Sequence, residues 1–176
     1  MKKIGILVGS LHSNSINRKT AEAFIKIGHP NLDFSFISIS DLPLFSEDLE
    51  KNVPSSVLRF RQEIEQSDII LIMTPEYNRS ITGVLKNALD WASRPYQEGV
   101  FINKKVAIAG IAPSPVGTAA AQVHLRSIIP AIQGIMIPQP EMCLTWTPDF
   151  FNANGLPENE KTHQFFKKFL EALSNA

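Results

Sequence analysis

Short, almost unbroken apolar runs alternate along this chain with stretches whose apolar residues return every three to four positions. The clearest runs are residues 3–8 (KIGILV), 69–73 (IILIM) and 106–111 (VAIAGI). A run that is apolar throughout and too short for a helix predicts a strand buried on both faces, as in a parallel sheet covered by helices. Residues 33–39 (DFSFISI) alternate instead, which predicts a half-exposed strand at a sheet edge, and Ile135, Met136 and Ile137 make a short last strand. Helical spacing runs from Ile16 through Ala21, Phe24 and Ile25 to Gly28, then over residues 54–65 with Pro54 in the first turn. It returns in Ile81, Val84, Leu85, Ala88, Leu89 and Ala92, with Ser80 or Thr82 as cap and Pro95 beyond the end. A fourth helix runs from Thr118 to the neighbourhood of Pro130, which bends or ends it, and a fifth covers residues 161–173. Strand and helix alternate five times over short connections, so the expected architecture is α/β: a three-layer, doubly wound sheet of five parallel strands. No repeat, low-complexity tract or linker divides residues 1–176, and one domain is expected.

In open sheets of this kind ligands bind beyond the carboxyl ends of the strands. Two loops fall there. After the run 69–73, Pro75 has no N–H for a ladder and leaves Glu76, Tyr77 and Asn78 on a loop before the next helix. After the first strand, residues 9–18 (GSLHSNSINR) offer hydroxyls and backbone N–H groups beside a positive helix terminus, which suits a phosphate. The same loop is equally an ordinary polar connection with Ser13 or Ser15 as a helix cap. It contains neither a GxGxxG fingerprint nor a Gly-Lys-Ser/Thr triphosphate loop, which removes the commoner dinucleotide and triphosphate readings. If the strand order is 2-1-3-4-5, the switch point lies between the first and third strands and the two loops stand side by side. One then holds a phosphate and the other a flat ring, demands that FMN meets together.

Composition narrows the picture further. Lysine plus arginine and aspartate plus glutamate stand at 17 each, leaving no net field to draw the chain to nucleic acid or an anionic membrane. One cysteine, Cys143, excludes an internal disulfide framework and fits a cytoplasmic protein, and no apolar segment approaches the roughly 20 residues that span a bilayer. His29, His124 and His163 are scattered without partners at ligand spacing, so no metal site is expected. Glu47, Asp48 and Glu50 read as a solvated acidic loop. Trp91 is a core residue by its surroundings in the sequence.

The chain resembles the NAD(P)H-dependent FMN reductase family, which includes quinone, azo-dye and chromate reductases of flavodoxin-like fold. The resemblance rests on Gly9-Ser10-Leu11 with Ser15 and Asn17, on Asp41-Leu42-Pro43-Leu44 and Asp48-Leu49, and above all on Pro75-Glu76-Tyr77-Asn78 followed by GVLKNALDW at 83–91. It implies that Ser10, Ser15, Ile16 and Asn17 grip the FMN phosphate and that Pro75, Glu76, Tyr77 and Asn78 lie along the isoalloxazine and ribityl chain. It also implies NADPH or NADH as co-substrate, a small-molecule electron acceptor, and a homodimer or homotetramer with the flavin near the subunit contact and Trp91 at that contact. Two departures stand out. His12 occupies a position where the family usually has arginine, replacing a permanent cation beside the phosphate by an imidazole that titrates near neutrality. The loop after the fourth strand, where Ser114 is expected near the flavin edge, reads PSPVGTAA rather than ending in Gly-Gly-Ala-Arg.

The resemblance implies hydride transfer from nicotinamide to FMN and on to a quinone, azo compound, free flavin or metal oxyanion, the two substrates using one open ring face in turn. No acid or base residue is assigned, and Tyr77 is expected to shape the ring face. Two rival functions use the same fold: a flavodoxin-type electron carrier, which the neutral charge disfavours, and an interaction module without flavin.

Overall fold

The computed structural model describes residues 1–176. Its strands are β1 (Lys2–Val8), β2 (Leu32–Ile37), β3 (Ile69–Met73), β4 (Lys105–Ala112), β5 (Ile135–Met136) and β6 (Met142–Thr145), and every pairing among them is parallel. The order is β2-β1-β3-β4-β5, with β6 also on β4. The sheet therefore has six strands, where the apolar pattern predicts five. The last position is split: β5 lies beside Lys105 and Val106, β6 beside Ala109 to Ala112, both along the outer edge of β4. Pro138 and Pro140 fall between the two pieces and have no N–H to donate to a continuous ladder. Their removal of ladder donors turns one strand into two.

The runs on β3 sort by parity onto the two faces of the sheet. Ile69, Leu71 and Met73 join a core of 19 buried residues under α1 (Ile16–Ile27) and α5 (Glu160–Asn175). Ile70 and Ile72 join a second core of 19 under α2 (Ser55–Glu65), α3 (Gly83–Ala92) and α4 (Ala119–Ala131). Two cores of equal size explain why the central strands show no polar alternation. Pro54 stands just outside α2 as its N-cap residue rather than within the first turn, and Pro130 lies inside the last turn of α4, which ends one residue later.

The polar loop that follows β2 contains a 3-10 helix, Glu47–Asn52, and is clamped onto α3. Phe45 N–H donates to Asn87 Oδ1 at 2.8 Å, while Asn87 Nδ2 and Trp91 Nε1 both donate to the Pro43 carbonyl, at 2.9 and 2.8 Å. Trp91 is buried within its own chain and meets Phe45 edge to face, so the core reading holds and its indole is not open to a subunit contact. Glu50 is more than solvated, since its carboxylate takes two hydrogen bonds from Arg94.

Candidate functional site

The site is built at the switch point, where the chain leaves β1 for α1 and β3 for α3. Ser15 is the N-cap of α1: its Oγ accepts the Arg18 N–H at 3.2 Å, and its own N–H donates to the His12 carbonyl. Of the two serines offered as caps, Ser15 therefore serves. Upstream, His12 N–H donates to Ser10 Oγ at 3.3 Å, and Asn14 N–H to His12 Nδ1 at 3.0 Å. With Nδ1 accepting from Asn14, Nε2 is the ring nitrogen left for a ligand. The N–H groups of Ser10, Leu11, Ser13, Ile16 and Asn17 have no acceptor in the protein and stand free around the start of the helix.

Asn17 behaves differently from its expected role. Its side chain is buried and pairs doubly with the backbone of β4, Nδ2 donating to Ile111 O at 3.0 Å and Oδ1 accepting Ile111 N–H at 3.1 Å. The amide ties the first turn of α1 to the carboxyl end of β4, and the Asn17 backbone N–H remains for a ligand.

Across the cleft, Tyr77 and Ser80 form a two-residue hairpin, each donating its N–H to the other's carbonyl at 3.0 Å. The two residues between them, Asn78 and Arg79, have φ of 53° and 63°. Left-handed backbone at both positions is the type I′ turn, in which asparagine is favoured because its short amide tolerates that region. Glu76 is turned away from the hairpin to α4, where its Oε2 accepts the Ala121 N–H at 3.1 Å. Thr118, the N-cap residue of α4, accepts from the Gln122 side chain and caps no backbone N–H of the helix, and Glu76 supplies the missing acceptor from another loop. Thr82 caps α3 and donates its hydroxyl to the Gly9 carbonyl at 2.7 Å, which joins the two loops directly. Gly110 lets the layers below them meet: a Cβ there would collide with the Thr74 carbonyl and the Thr118 hydroxyl.

These ties enclose a cleft of about 200 Å³. Ser10, His12, Ser15, Ile16, Asn17, Pro75, Glu76 and Tyr77 all line it, so eight of the ten expected residues come together. Asn78 sits in the turn outside the lining. Ser114 also lies outside it, with its hydroxyl donating to the Gly117 carbonyl at 2.8 Å within the loop after β4. Four further residues line the cleft: Asn14 in the first loop, and Ile111, Ala112 and Pro113 where β4 ends. The rule that ligands gather at carboxyl ends of strands points to the last three, but their side chains carry no chemistry to single them out. Cys143 has no part in the cleft, and burial first, then the charge of Glu141, pushes its thiol above its ordinary value, leaving a weak nucleophile.

The family model described as NADPH-dependent FMN reductase matches residues 2–146, which include both loops and the whole of the sheet. The chain belongs to that family. Its fold is α/β and flavodoxin-like, and its family is one of oxidoreductases. A 2-hydroxy-1,4-benzoquinone reductase from a Burkholderia species is 40% identical over 169 residues, 96% of this chain and 92% of the relative. An NAD(P)H-dependent FMN reductase from Pseudomonas aeruginosa is 38% identical over 174 residues, 98% and 93% of the two chains. Among solved structures, the flavoenzyme FerB, an NAD(P)H:(acceptor) oxidoreductase from Paracoccus denitrificans, matches with a TM-score of 0.95 at 37% identity, over 99% of this chain and 96% of that one. The cleft at the switch point thus lies inside the part of the chain that the FMN reductase family shares.

Proposed function

We propose that this chain is an NAD(P)H-dependent quinone reductase that holds FMN in the cleft between residues 10–17 and 75–80. The observation that carries the reading is the set of unpartnered N–H groups of Ser10, Ile16 and Asn17 in a cleft also lined by Pro75, Tyr77, Ala112 and Pro113. The donors suit a phosphate at the positive end of α1, with the Nε2–H of His12 and the hydroxyls of Ser10 and Ser15 as further donors. The second set is flat and mostly apolar, as the ring and ribityl chain require. Bound FMN supplies the hydride-accepting and hydride-donating centre.

The chain's own part is positional. Glu76 fixes the ring-bed loop to α4, Asn78 and Arg79 fix the turn, and Tyr77, 56% exposed, borders the side open to substrates. No side chain is needed as acid or base. Nicotinamide and a small acceptor such as a quinone use that side in turn, which makes the kinetics ping-pong. At about 200 Å³ the cleft is smaller than the roughly 300–1,000 Å³ of usual ligand sites, and we propose a homodimer or homotetramer in which a second copy closes over the ring. A single cysteine supports a cytoplasmic place of work.

The purified protein is expected to be yellow, to release FMN on denaturation, and to oxidise NAD(P)H in step with reduction of a benzoquinone. A colourless protein that takes up no added FMN would overturn the proposal. A flavin-loaded protein without NAD(P)H turnover would mark an electron carrier instead.

A further inference from the structure

A second cleft, about 420 Å³, opens on the other side of the first loop, between the carboxyl ends of β1 and β2. It shares Ser10 and His12 with the flavin cleft, so the two meet across a single turn of chain. Hydroxyls of Ser10, Ser13, Ser38 and Ser40 surround it, with Arg18 on one wall. No aspartate or glutamate lines it. The Arg18 guanidinium carbon lies 4.2 Å above the Phe36 ring centroid, a stacking that holds the flat face and leaves the N–H edge for a ligand. Its partner Glu22, at 3.3 Å on the exposed surface of α1, leaves most of those donors unused. Arg59, the other guanidinium close by, is occupied by Asp41, Glu63 and the Ser38 carbonyl. The free N–H groups of Leu11 and Ser13 add donors on the loop side.

We propose that this cleft receives the 2′-phosphate of NADPH and makes the protein prefer NADPH to NADH, an inference that rests on the flavin site proposed above. Nucleotide sites that accept a plain ribose commonly place a carboxylate on its hydroxyls, whereas a 2′-phosphate calls for arginine and hydroxyl donors. The cleft has the second set and lacks the first. A nicotinamide over the ring bed would have the remainder of the dinucleotide continuing past Ser10 and His12 into this space.

The test uses FMN-loaded protein, wild type and the variants Arg18→Gln and Arg18→Lys. The ratio of kcat/KM for NADPH to that for NADH is expected to exceed unity in wild type and to fall about tenfold or more in Arg18→Gln, the loss of one charge-assisted contact. Arg18→Lys should keep part of the preference. Calorimetric titration with 2′,5′-ADP and 5′-AMP supplies a readout independent of turnover: wild type should bind the former more tightly, and Arg18→Gln should lose the difference. A wild type that does not discriminate, or a ratio unmoved in Arg18→Gln, overturns this inference while leaving the flavin site standing. Protein that takes up no FMN overturns both.

Discussion

Asn17 shows what a single residue decides here. Its amide makes the only side-chain link between the first turn of α1 and Ile111, a residue 94 positions away, and does so through two hydrogen bonds inside the protein. Replacing it by alanine leaves the Ile111 N–H and carbonyl buried without partners. Asn17→Ala is therefore expected to cost about 2–4 kcal/mol, since each stranded buried group costs roughly 1–3 kcal/mol. Urea unfolding checks this, with a lowered midpoint at unchanged slope as the expected result. FMN affinity should fall with it, because the free N–H groups lose their fixed direction. A variant as stable as wild type would show that the amide is not what holds helix to strand. At this scale residue types are legible in the sequence and side-chain directions are not. Ser15 and Thr82 are identifiable as caps because a cap bonds within its own first turn. Asn17 reads only as a phosphate ligand, because the partner of its side chain lies on another strand.

Among the elements, buried strands and amphipathic helices follow from spacing alone and the doubly wound class from their alternation, while the order around the switch point goes with the flavodoxin-like resemblance. What spacing misses is local backbone. The hairpin carrying Tyr77 depends on two consecutive left-handed residues, and only Asn78 is of a type that announces one. Arg79, at φ 63°, sits where a type I′ turn prefers glycine. Arg79→Gly should accordingly raise stability by about 0.5–1 kcal/mol, the left-handed penalty of roughly 1–2 kcal/mol less the added freedom of the unfolded chain. Thermal unfolding of the variant beside wild type reads this, and a lower midpoint would mean that the arginine side chain contributes more than its backbone costs. The split β5 and β6 is hidden for a related reason: Met142–Thr145 is a four-residue strand with alternate residues exposed, behind two prolines, and offers no apolar run. Glu76 is legible as a site residue, but its bond to Ala121 of α4 requires the fold first.

Across the whole molecule, balanced charge removes net repulsion near neutrality, so the acid side of the stability curve is governed by particular carboxylates. The Arg94 hydrogen bond holds the Glu50 carboxyl below its ordinary value of 4.5, against a smaller opposing effect of burial. His29, then Asn175, do the same for Glu171 on α5, and Thr147 for Asp149. A carboxylate with a lowered folded value contributes stability that is complete above its unfolded value and is lost as pH falls through the folded one. Unfolding by acid is therefore expected to set in below about pH 4.5, where the unfolded chain binds protons that the folded chain refuses. Lys104 has the opposite sign. Burial lowers its value from 10.5, so raising the pH toward that value removes a cost and does not destabilise. Glu50 isolates the acid contribution, because its pair with Arg94 joins the loop after β2 to the end of α3, beside the Phe45 ring stacked edge-on against Trp91. Glu50→Gln should lower the melting temperature at pH 7 and converge on wild type as pH falls well below 4.5, where the wild-type carboxyl is also neutral. Melting curves taken from pH 7 to pH 3 decide the matter. A gap that stays constant across that range would mean that Glu50 holds the loop by shape and hydrogen bonding, with no contribution from its charge.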